Sequence, residues 1–198
     1  MNRKSILISG GGIAGLTFAI ELKRRGFQPV VIEHEPGLRR EGYMMDFFGT
    51  GWDVASRMGL TERLRAVHYP IDVMEFVDAD GTPYVQMAIE RVRHALGDNY
   101  VYLRRPDLEA ILAERGRELG IDVRYATALA ALEDRGDYVH ARFENGGADD
   151  FALVIGADGV HSRVRELGFG PEQQYEKFLG LYVAAFHIAR GKLPFDRT

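Results

Sequence analysis

The chain of 198 residues is 27% charged and 46% hydrophobic, with a formal net charge of −4. It is long enough to bury one domain, or one domain and part of another, and its charge gives no electrostatic reason for a nucleic-acid or anionic-membrane partner. The absence of cysteine excludes structural disulfides, thiolate metal sites and a redox dithiol, and fits a cytoplasmic protein.

The basic start, Met1 to Ser5, leads into a glycine-broken stretch without a signal-peptide cleavage pattern. No apolar run approaches the roughly 20 residues of a bilayer span. Ser5–Ser9 reads as a short apolar strand. Residues 12–25 have helical periodicity through Ile13, Leu16, Ala19, Ile20 and Leu22. Lys23, Arg24 and Arg25 suit the last turn, and Gly26 is a natural stop. Pro29 leads into a second buried strand, Val30–Glu33, completing a β-α-β unit. Residues 37–51 are glycine-rich and read as irregular, with Arg39, Arg40 and Asp46 among them. Residues 52–58 and 61–67 read as short helices separated by Gly59. Residues 71–77 and 82–88 read as a β-hairpin around Asp80-Gly81.

Residues 106–119 carry the strongest helix signal. Pro106 suits the first turn, Leu108, Ile111, Leu112, Arg115 and Leu119 mark one side, and Gly120 ends it. Strands are expected over 121–125, 129–133, 138–144 and 151–155, separated by turns at 134–137 and at Asn145-Gly146-Gly147. After Pro171 the character shifts, and 175–190 is apolar and strand-like.

Gly10-Gly11-Gly12-Ile13-Ala14-Gly15 contains Gly-x-Gly-x-x-Gly. In a chain with 23 glycines that spacing alone is weak. Its context is stronger: a strand precedes it, a helix follows, and Glu33 ends the next strand. Gly10 permits the tight turn, Gly12 lets a pyrophosphate approach the backbone, and Gly15 lets the helix lie close to the sheet. The helix N-terminus offers N–H groups to phosphates. Glu33 is placed to accept from an adenosine ribose, and its charge disfavours a 2′-phosphate. The bland alternative is a glycine-rich turn with a surface glutamate. This unit does not separate NAD from FAD: a helix N-terminus supplies at most about 2 kcal/mol to an anion, whereas tight binding of a dinucleotide such as FAD needs about 10 kcal/mol or more. Most of the affinity must come from elsewhere.

The more specific stretch is 154–165, Val-Ile-Gly-Ala-Asp-Gly-Val-His-Ser-Arg-Val-Arg. An apolar strand enters Gly156, Asp158-Gly159 turns, and Ser162 and Arg165 follow at three-residue spacing. Asp158 either caps a helix beginning near Val160 or meets a cofactor, and the two readings are compatible. Ser162 and Arg165 read as structural neighbours of the turn. Arg105 at a helix N-terminus opposes the dipole, so it calls for an anionic partner, either a cofactor or a surface carboxylate. Arg104 is the alternative contact. The six histidines have no metal-ligand spacing, so no metal is expected. His161 reads as a surface histidine. Trp52, Met44 and Met45 read as packing.

Three stretches together resemble the FAD-dependent aromatic-hydroxylase family, the single-component flavoprotein monooxygenases that include p-hydroxybenzoate hydroxylase and the tetracycline-inactivating enzymes. They are Gly10–Gly15 with Glu33, Arg105-Pro106-Asp107-Leu108 opening a helix, and Gly156-Ala157-Asp158-Gly159 with Ser162 and Arg165. The segment Gly42–Asp46 is similar to the tetracycline-inactivating branch. The resemblance implies an α/β, Rossmann-like FAD-binding domain over 1–170, in a three-layer ββα arrangement, with the start of a β-sheet substrate domain over 171–198. The hairpin at 71–88 would reach toward that second domain.

The resemblance further implies FAD held by Gly10, Gly12, Ala14, Gly15, Glu33, Arg39, Arg40, Asp46, Arg105, Leu129 and Asp158. NAD(P)H would reduce it, and O2 would supply one oxygen to an electron-rich small molecule. No catalytic side chain is marked, because the cofactor carries the difficult chemistry. Family members are longer and carry a further Gly-Asp motif in their C-terminal half. None follows residue 165 here, so an N-terminal portion is expected. The rival readings are a related flavin halogenase or reductase, a non-catalytic nucleotide-binding module, and a plain NAD dehydrogenase.

Overall fold

The computed structural model describes residues 4–97, 99–180 and 182. A four-stranded parallel sheet forms its centre, in the order β11 (Leu153–Gly156), β1 (Ser5–Ser9), β2 (Gln28–Ile32), β7 (Asp122–Arg124). Side chains of a strand alternate between faces, and both faces here are covered. Ile6 and Ile8 of β1 with Val31 of β2 enter one core with Leu16, Ala19, Ile20, Leu108 and Leu112. These come from α1 (Ile13–Arg24) and α5 (Arg105–Glu118). Leu7 and Ile32 enter the other core with Leu129, Ala141, Phe143 and Phe151.

That second core lies beneath a three-stranded antiparallel sheet, β10 (Ala148–Phe151), β9 (Val139–Phe143), β8 (Leu129–Asp134). The result is the three-layer α/β Rossmann-like arrangement: helices, parallel sheet, antiparallel sheet. On the helical side, α2 (Gly49–Met58) and α3 (Thr61–Ala66) are separated by Gly59, whose φ of 73° is left-handed. Trp52 is buried there, under the Arg65 guanidinium.

Several expectations need correcting. The segment 37–51 is not irregular throughout. Met44–Phe47 forms β3, antiparallel to β6 (Val101–Arg104), and α2 begins at Gly49. Neither strand was expected, because each gains its hydrogen bonds from a partner distant in sequence. The helix α4 (Ile89–Leu96) was also missed. The apolar run 151–155 is two strands rather than one. Phe151 ends β10, whereas Leu153 begins β11 and pairs in parallel with β1. Five consecutive apolar residues hide the point where the chain changes sheets. The helix expected near Val160 is α6 (Arg163–Phe169). Residues 175–180 form no strand; of 181–190, only Tyr182 lies within the described residues. The hairpin is present as β4 (Val73–Val77) and β5 (Pro83–Ala88).

The glycine assignments have a steric basis. A Cβ on Gly15 would stand 1.9 Å from the Gly10 carbonyl oxygen, and one on Gly10 would stand 2.3 Å from that of Ala157. Gly10 also has a φ of +109°. We expect Gly15→Ala to cost about 1–3 kcal/mol, the range of overpacked sites. Gly37→Ala, where nothing lies within 4 Å, should cost less than about 0.5 kcal/mol. Urea denaturation of both variants is the check, and equal midpoints would refute the close-packing argument.

Candidate functional site

A groove of about 760 Å³ opens at the C-terminal ends of β1, β2 and β11. Its floor is the Gly10–Gly12 loop. Helix α1 begins there with Gly12 at its N-cap and no capping side chain or first-turn acid. The N–H groups of its first turn therefore have no side-chain acceptor from the cap.

One wall carries Glu33, immediately after β2. Its carboxylate accepts from the Gly11 N–H at 2.7 Å and from the Glu35 N–H at 3.0 Å. The His34 ring lies 2.8 Å away. Tyr125 and Thr127 continue this wall, and burial, with Glu33 second, raises the Tyr125 phenol above its ordinary value.

The opposite wall is the Asp-Gly turn. Asp158 accepts from the Ser162 hydroxyl at 2.5 Å, the Val164 N–H at 3.1 Å and the Ser9 hydroxyl at 3.3 Å. Ser162 is the N-cap of α6, and its Oγ accepts from the Arg165 N–H. The capping reading of Asp158 is thus realised one step removed: Ser162 caps, and Asp158 supports it while tying α6 to the end of β1. Arg165 donates to the Val160 carbonyl and lies over the Tyr175 ring. His161 is exposed and meets Glu172 at 2.6 Å.

The third side comes from the start of α5. Arg105 lines the groove and pairs with Glu109 at 2.9 Å. The anionic partner that its position called for is therefore present within the chain. Arg104 instead makes an exposed two-point pair with Asp107. The segment similar to the tetracycline-inactivating branch reaches this corner through β3, as the Arg105 N–H donates to the Tyr43 carbonyl at 3.0 Å.

The structure brings Gly10, Gly12, Glu33, Arg39, Arg105, Leu129 and Asp158 to one groove. It does not bring Ala14, Gly15, Arg40 or Asp46 to its lining. Ala14 faces a separate apolar groove between α1 and α2, and Gly15 is buried against Gly10. Arg40 is exposed. Asp46 accepts from the buried Tyr100 hydroxyl. Leu129 is a fully buried core residue whose carbonyl accepts from Arg163 at 3.3 Å. Sequence reasoning missed Glu109 and Arg163, which also line the groove. Glu109 stands four residues after Arg105, the spacing at which opposite charges meet on a helix, so that signal was available. Among the described residues no cluster could hold a metal ion, and no helix is long and apolar enough to cross a membrane.

Comparison with known proteins agrees with this geometry. The FAD binding domain family model matches residues 3–186, and the chain belongs to that family. An uncharacterized protein of Mycobacterium tuberculosis is 35% identical over 186 residues, covering 93% of this chain and 50% of the relative. A flavin-dependent monooxygenase from an unknown prokaryotic organism is 33% identical, covering 93% and 47%. The crystal structure of the tetracycline destructase Tet(55) superposes with a TM-score of 0.73 at 32% identity, covering 86% of this chain and 42% of that one. The chain thus spans about half the length of the curated relatives it matches. It has the FAD-binding domain of the flavin-dependent monooxygenases.

Two outcomes follow. Asp158→Ala should destabilise the fold more than Ser162→Ala. Ser162→Ala loses the cap, about 1 kcal/mol, and one of the bonds to Asp158, whereas Asp158→Ala loses all three of its charge-assisted bonds, worth about 1.5–3 kcal/mol each. Chemical denaturation giving the opposite order would sink this account. Tyr100 provides a pH test. Burial first and Asp46 second raise its phenol, and the same two causes raise Tyr102. Above about pH 10 an unfolded chain releases these protons while the fold retains them, so stability falls as pH rises. Tyr100→Phe should flatten that decline in urea midpoints, and an unchanged slope would refute it.

Proposed function

We propose that this chain is the FAD-binding part of a monooxygenase that uses NAD(P)H and O2 to hydroxylate an aromatic or polyketide-like small molecule. The observation that carries the reading is the meeting of the glycine loop, the Asp158-Gly159 turn and Arg105 around one groove. Relatives described as flavin-dependent monooxygenases and the likeness to a tetracycline destructase support the substrate class.

The residues present fit a pyrophosphate-bridged dinucleotide. Gly10 and Gly12 leave the loop backbone without side chains, and the uncapped α1 terminus directs N–H groups to the same place. In this reading Gly10 and Gly12 meet the pyrophosphate, with Gly15 allowing α1 its close approach, and Ala14 keeps its assignment through the resemblance alone. Glu33 takes the ribose, the Leu129 backbone takes the adenine, and Arg39, Arg105 and Asp158 meet the remainder. Arg40 and Asp46 keep their flavin assignment through the resemblance alone. When bound, FAD supplies the redox chemistry, and the chain holds and orients it.

The unit over 1–170 is the FAD-binding domain, and the hairpin β4–β5 belongs to the substrate domain that begins at 171. A two-stranded hairpin is marginal alone. This one leaves Phe76, Tyr84 and Val85 more than 45% exposed, which suits a sheet continued by a further half. That half completes the site and contributes the substrate contacts. A cytoplasmic location belongs to the same reading.

FAD titration tests it. The chain alone should bind FAD weakly and show no NAD(P)H oxidation, whereas an extension to the length of its relatives should bind tightly and turn over. Failure of the extended protein to take up flavin would overturn the proposal.

A further inference from the structure

Glu109 is only 4% exposed, yet it lines the groove expected to receive a dianionic pyrophosphate. Its Oε1 meets Arg105 Nη2 at 2.9 Å. The pair stands against the glycine loop. A Cβ on Gly12 would lie 3.4 Å from Glu109 Oε1 and 3.8 Å from Arg105 Nη2. A carboxylate here works against anion binding by charge alone, because it repels the phosphates and neutralises the arginine. Its burial beside the loop therefore needs a different account.

We propose that Glu109 is the positioning residue for Arg105, holding the guanidinium against Gly12 so that its remaining N–H donors face the pyrophosphate. This rests on the FAD-binding reading above. Arginine has freely rotating side-chain bonds, and fixing them in advance removes much of that ordering cost from binding. The fork of donors is rigid once the side chain is held. Glu109 thus exchanges electrostatic attraction for orientation. The two effects predict opposite signs.

The test is FAD affinity, read by flavin fluorescence and visible circular dichroism, for variants of the chain. Glu109→Met removes the acceptor while keeping the bulk and helix propensity, and should weaken FAD binding about tenfold. Glu109→Gln keeps an oxygen acceptor and should stay within about twofold of the unsubstituted chain, a difference under roughly 0.5 kcal/mol. With Arg105→Ala already present, Glu109→Met should instead tighten binding, since it then removes an unpaired negative charge beside the phosphates. A merely structural role does not reverse sign between the two backgrounds. Tighter binding by Glu109→Met alone, or the same sign in both backgrounds, overturns the proposal. Should Glu109→Met fail to fold by far-ultraviolet circular dichroism, Glu109→Asp replaces it. That variant keeps the charge but withdraws it by one methylene, and should bind more weakly than Glu109→Gln; equal or tighter binding overturns the inference. If neither this chain nor one extended to the length of its relatives binds FAD, the cofactor reading itself falls, and this one with it.

Discussion

The site depends on one crossing of backbone where no side chain fits. Gly10 leaves β1 with a φ of +109°, its Cα facing the Ala157 carbonyl and its own carbonyl facing Gly15. Three segments from two distant parts of the chain are thereby pressed together: the end of β1, the start of α1 and the exit of β11. The parallel pairing of β1 with β11 extends to Ser9 opposite Gly156, and the Ala157 N–H then donates to the Ser9 carbonyl at 2.8 Å. The glycine loop and the Asp-Gly turn are therefore two sides of one structure. A Cβ at Gly10 or Gly15 would separate them, and the groove between them would lose its shape.

Around that crossing the charged groups are largely satisfied by the chain itself. Glu33 is held by the Gly11 and Glu35 N–H groups, Arg105 by Glu109, and Asp158 by Ser9, Ser162 and Val164. Such pairing is what burial requires, because an unpartnered charge in a poorly solvated wall is costly. It also places geometry ahead of net charge in the recognition of a ligand. The first turn of α1 has no capping side chain and no acid, and this suits a phosphate better than it suits a neutral group.

Much of this was legible because its causes are local. The periodicity of α1 and α5, the stops at Gly26 and Gly120, and the strand-loop-helix setting of the glycine loop each lie within a few residues. What failed was non-local. Strand β3 lies in glycine-rich sequence and exists because β6 pairs with it from more than fifty residues away. Where β10 becomes β11, the apolar run is continuous while its hydrogen-bond partner changes from β9 to β1. The same division applies at the site. Gly10, Glu33 and Asp158, placed by strand ends, arrive in the groove. Asp46 depends on which way an unexpected strand faces, and it turns to Tyr100.

Asp158 shows why a motif can be read as structural and functional at once. Its carboxylate joins the end of β1 to the N-terminus of α6 through both oxygens, so its local role is architectural. The groove wall it stabilises is nevertheless the one facing the glycine loop. A residue type selected for capping would serve equally well at many helix starts. The pairing of β11 beside β1 makes this cap part of the groove wall. The specificity of the 154–165 stretch therefore resides less in the chemistry of the aspartate than in the strand that delivers it. An Asp-Gly turn after β7, which does not neighbour β1 in this sheet, would cap its helix without facing the glycine loop.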